Sequence, residues 1–176
     1  MKPGLRKLAL TAHVATSVGW LGAAVAYLGL VAAGLASEDA QVVRAAYLAL
    51  EPMTWFAIVP LAFASVLTGL VQGLVTPWGL FRHYWVLFKL LLTVVATAVL
   101  LANTRTVSHL GDIATEGGEV GTGGLQSQLL HSGGGVLVLL VTTALAVYKP
   151  SGVTPYGRRK QRAALAPSAG PPFPRE

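Results

Sequence analysis

The chain has 176 residues, 53% hydrophobic and 11% charged, with a formal net charge of +6. So apolar a composition excludes an ordinary soluble domain and points to a membrane-embedded one. The absence of cysteine excludes disulfides, iron–sulfur clusters, thiolate metal sites and covalent c-type haem attachment.

Crossing a hydrocarbon core of about 30 Å takes roughly 20 helical residues, and four segments are long enough: 8–35, 53–75, 84–102 and 129–148. The first follows the basic stretch KPGLRK and ends near GLAS, which resembles a signal peptide. Its apolar run is about twice the length of a signal h-region, so it reads as a retained helix. It places His13, Ser17, Trp20, Ala24 and Tyr27 on one face. The second segment aligns Thr54, Leu61, Ser65, Thr68 and Gln72, and its small residues Ser65, Gly69 and Gly73 suit close helix packing.

The third segment aligns Arg82, Trp85, Lys89, Thr93 and Asn103, and the fourth His131, Gly135, Thr142 and Lys149. Between them, residues 104–128 contain GGEVGTGG and read as a mobile external loop. Residues 1–150 thus form an all-α, polytopic membrane four-helix bundle. Its polar stripes face inward or toward a second subunit, which makes a homodimer one expected form. Residues 151–176, with RRKQR and PSAGPPFP, read as a disordered basic tail.

Lys2, Arg6, Lys7, Arg82, Lys149, Arg158, Arg159, Lys160, Arg162 and Arg175 fall on one side of this topology, against Arg44 and Arg105 on the other. The positive-inside rule then makes both termini cytoplasmic, and the chain is expected as a multi-pass protein of the plasma membrane. The basic tail is expected to meet anionic lipid of the bilayer rather than nucleic acid.

Lys89 is a charge within a span. It follows Arg82 by seven residues, and His13 follows Lys7 by six. Both therefore lie roughly 10 Å inside the cytoplasmic boundary, at matching depth. Snorkelling toward the edge explains a lone lysine, but a histidine at the same level on another inward face favours a shared site. His131 lies near the outer edge, on the order of 15 Å from His13 in depth, so the two should not share one metal. Met53 is the depth match for His131, and a His/Met pair is known haem chemistry.

The run His13-VATSVG-Trp20, the Pro52-Met53 opening of span two and Trp85-VLF-Lys89-LLL resemble, in order, the HemJ-type family. Those four-span membrane proteins are associated with protoporphyrinogen IX oxidation and b-type haem. The chain is also similar to CopD-like four-helix membrane proteins. The resemblance covers roughly residues 5–100. It implies haem b, with His13 as an axial ligand, Lys89 as a second polar group, and Arg82 at the rim beside the propionates. Trp20 and Trp85 accompany these residues. Span four, with HSGGG, has no counterpart in the pattern, and the ligand is expected to be kept where the reaction is not. The alternatives are a noncatalytic membrane scaffold or partner subunit, and a small metal-handling transporter, with copper implied by the CopD-like likeness alone. The redox partner is not specified by the residues.

Overall fold

A computed structural model describes residues 3–75, 79–118 and 121–165. The described residues form helices α1 (Pro3–Ala36), α2 (Ala40–Met53), α3 (Val59–Val75), α4 (Tyr84–Thr115), α5 (Gly123–Tyr148) and α6 (Pro155–Leu165). A π-helical turn, Thr54–Ile58, joins α2 to α3 without a break. Its cause is local. Pro52 and Pro60 have no N–H to donate, and the wider turn carries the chain past them, with the Val59 N–H reaching the Thr54 carbonyl.

Four helical units, with α2–α3 counted as one, are long and apolar enough to cross a membrane. The chain is therefore an all-helical, multi-pass membrane protein. Consecutive spans pack on one another and α1 closes the square against α5, so α1 and α4 occupy one diagonal and α2–α3 and α5 the other. The two ends of the bundle differ. At the terminal end, the segment after α5 pairs with the turn before α4. Tyr84 N–H donates to the Gly152 carbonyl at 3.2 Å, and Thr154 N–H to the Arg82 carbonyl at 2.9 Å.

The far end is the packed one. At 1.5 Å per residue, α1 with 34 residues and α4 with 32 are about 51 and 48 Å long, well beyond a 30 Å core. Their excess builds a cap with α2 and the start of α5. Val43, Ala46, Tyr47 and Leu50 present one face of α2 to Val31, Val107, Ala114 and Leu125, all buried. Arg44 donates to the Ala114 and Gly118 carbonyls at 2.9 and 3.0 Å, capping the end of α4. Gly34 is required here: a Cβ would stand 2.7 Å from Leu125 Cδ1.

Two expectations are corrected. Most of 104–128 is helix, because α4 runs on to Thr115 and α5 begins at Gly123. The α2 face gives those extensions an apolar surface to cover, which the local glycines concealed. The expected disordered tail begins instead with α6, seated through Thr154, whose hydroxyl donates to the Phe81 carbonyl at 2.6 Å and accepts from the Gly157 N–H. The remainder of the tail, 166–176, lies outside the described residues, as do Glu119 and Val120 of the loop.

Candidate functional site

The bundle's first polar layer lies near the terminal end and spans its diagonal. Lys89 Nζ on α4 stands 3.3 Å from His13 Nε2 on α1. His13 Nδ1 stands 3.0 Å from Thr68 Oγ1 on α3. The Thr68 hydroxyl spends its hydrogen on the Ala64 carbonyl at 2.6 Å, so its oxygen accepts from Nδ1–H. Nε2 is then left as the acceptor for the lysine. Gly69 allows this placement, since a Cβ there would lie 3.2 Å from His13 Cε1. One turn further along α1, Ser17 and Ser65 hydroxyls pair at 2.9 Å.

This layer is under-satisfied. Among the described residues Lys89 has one hydrogen-bond partner, His13, and no carboxylate. Gln72, one turn beyond Thr68 on the same helix, has a buried Nε2 with no partner. A cation with a single neutral acceptor and an amide donor with none are costly in such a place, and they mark a spot where a further acceptor is expected.

Above this layer, the same faces of α1 and α4 line a cavity of about 400 Å³ with α5. Trp20 and Leu92 mark its near end, and Tyr27, Asn103 and Gln128 its far end. The far-end groups form one network. Gln128 Oε1 accepts from Tyr27 OH at 2.9 Å and from Asn103 Nδ2 at 2.8 Å, and Gln128 Nε2 returns a bond to Asn103 Oδ1 at 3.4 Å. Gln128 is 0% exposed.

On α5 the cavity wall includes Gly134 and Gly135, and with Gly133 these have nothing within 4 Å of a built Cβ. Glycine in a helix interior costs about 1 kcal/mol relative to alanine. Glycines in membrane helices commonly offset that cost through close helix approach. A side chain begun at any of these three would enter open space.

The structure brings His13 and Lys89 together, and places Trp20 in the cavity wall, buried. Arg82 lies in the turn before α4, its backbone carbonyl bound to Thr154 and its side-chain stem passing over Gly79. Trp85 opens α4, its ring 6.5 Å from that of His83. Met53 and His131 are not brought together. Met53 packs at the edge of the core, His131 stands exposed on α5, and their spans occupy opposite corners. Among the described residues no three His, Asp or Glu side chains converge on a metal position. Sequence reasoning missed Gln128, which it assigned to a loop. Its position three residues before His131 on the same helical face was the available signal.

Fold and site together define a multi-pass four-helix membrane bundle with a diagonal His–Lys contact and an apolar interior cavity. No family model, no curated protein and no solved structure matches the chain.

Proposed function

We propose that this membrane protein binds b-type haem at the His13–Lys89 contact. The observation that carries the reading is the His13 imidazole, anchored through Nδ1 by Thr68 with Nε2 turned to Lys89 Nζ at 3.3 Å. Metal-binding histidines are commonly held in this way, one ring nitrogen hydrogen-bonded and the other presented to the metal.

The donor set fits the group. His13 would hold the iron through Nε2. Lys89 would serve as second ligand when deprotonated, or pair with a propionate when charged. The unpartnered Gln72 amide supports an acceptor at this level, and Arg82 lies on the turn at the same end. Haem would supply one-electron chemistry; the chain supplies a fixed imidazole, a cation and exclusion of water by apolar neighbours. On this reading the terminal end faces the cytoplasm, in accord with its basic residues.

Absorption spectroscopy tests the proposal. Detergent-purified protein should show a Soret band, on isolation or after haem addition, and His13→Ala should lose it while retaining helical circular dichroism. Folded wild-type protein without a chromophore after haem addition would overturn it.

A further inference from the structure

We infer that the 400 Å³ cavity between α1, α4 and α5 binds the headgroup of a lipid-soluble isoprenoid quinone or quinol. The inference rests on residues that line the cavity and does not depend on haem at His13.

The position of the opening comes first. Val95 and Val99 on α4 and Leu130 and His131 on α5 line the cavity and also stand exposed on the bundle surface. These residues lie inside the apolar spans, so the mouth opens sideways into the hydrocarbon. A ligand that enters there arrives through the bilayer rather than from water.

The polar groups then select the headgroup. His131 Nδ1 lies 2.9 Å from the Ser127 carbonyl, and a carbonyl only accepts, so the proton is on Nδ1 and Nε2 keeps its lone pair. One turn back along α5, Gln128 pairs with Asn103 of α4, and each of the two amides spends one N–H on the other. The second N–H of each has no partner among the described residues. The site therefore offers both amide donors and an imidazole acceptor.

A quinone carbonyl accepts from the amides, and a quinol hydroxyl donates to the imidazole. A sterol, with one hydroxyl, satisfies fewer of these groups than a quinol with two. A phospholipid headgroup brings charge, and no Lys, Arg, Asp or Glu lines the cavity. The open space over Gly134 and Gly135, facing the wall that carries Trp20, gives room for a flat ring against bare helix backbone.

The test uses full-length protein in lipid nanodiscs titrated with decylubiquinone and decylubiquinol. Saturable binding of both is expected. Gly135→Leu, whose Cβ meets nothing within 4 Å, should weaken both at least tenfold with unchanged thermal unfolding. His131→Ala should weaken decylubiquinol about tenfold, the loss of one hydrogen bond to a buried ligand, and decylubiquinone less. Absence of saturable binding by the wild-type protein, or undiminished binding by a folded Gly135→Leu variant, would overturn the inference. So would a Soret band that survives His13→Ala and disappears in His131→Ala, since the cavity would then hold haem.

Discussion

The far-end cap and the terminal-end layer of this bundle both bury polar side chains, and they treat them in opposite ways. In the cap and the network beneath it, Arg44 reaches two carbonyls, Tyr47 OH donates to the Gly121 carbonyl and accepts from the Leu125 N–H, and Gln128 is bonded on both sides. In the terminal-end layer, Lys89 rests on a neutral imidazole alone and Gln72 Nε2 has no partner. Satisfied polar groups fix a structure, because any rearrangement strands them. Groups left short of acceptors contribute little to the fold and remain available to a ligand. The cap thus holds the helices, while the terminal-end layer, and the second N–H of Asn103 and Gln128 at the cavity, present chemistry.

The largest effect that tests this division is expected in the network. Gln128→Leu leaves Tyr27 OH and Asn103 Nδ2 buried without their acceptor, at about 1–3 kcal/mol for each stranded group. A loss of about 3 kcal/mol is expected in reversible unfolding from mixed micelles. A loss below about 1 kcal/mol would show that the network is not a fixing element, and the comparison would break at its first term.

Next in size is Lys89→Met, with the opposite sign. A central cation costs roughly 2.5–3.5 kcal/mol on insertion scales, reduced when it reaches toward an edge. Methionine removes that cost at similar length, while His13 Nε2 forfeits one hydrogen bond of about 1 kcal/mol. The ligand-free variant should be as stable as the wild type or more stable by up to about 2 kcal/mol. The same micelle unfolding measures it, and destabilisation by more than 1 kcal/mol would make Lys89 a structural residue. Haem binding, in contrast, should be altered, seen as a shifted or weakened Soret band.

The two regions were also unequally legible. His13 and Lys89 could be matched from chain position alone, since depth in a membrane follows from counting residues at a fixed rise from a charged boundary. Their polar neighbours Ser17, Ser65 and Thr68 followed from 3.6-residue periodicity. The cap was hidden because its signals lie outside the apolar windows. Val43, Ala46, Tyr47 and Leu50 recur at helical spacing, but between polar residues that lower the local hydropathy. Gln128 disappeared into a glycine-rich segment for the same reason. The π-helical turn at Thr54–Ile58 follows from Pro52 and Pro60, which flank it, and no propensity of its own residues announces it.

The smallest expected effect is the sharpest comparison, because it repeats the first substitution in the other region. Gln72→Leu removes an amide whose Nε2 is buried and unpartnered, and leaves no donor stranded by the loss of that nitrogen. Replacing an unsatisfied polar group by an apolar one of similar size relieves desolvation, so a gain of up to about 1 kcal/mol is expected in micelle unfolding. If a ligand's acceptor meets this amide, the variant should bind haem more weakly even as it unfolds later. Stability and affinity would then move in opposite directions at Gln72, whereas at Gln128 stability falls. A stability loss at Gln72 equal to that at Gln128 would mean that the two layers are built alike, and the unpartnered amide would no longer mark a binding position.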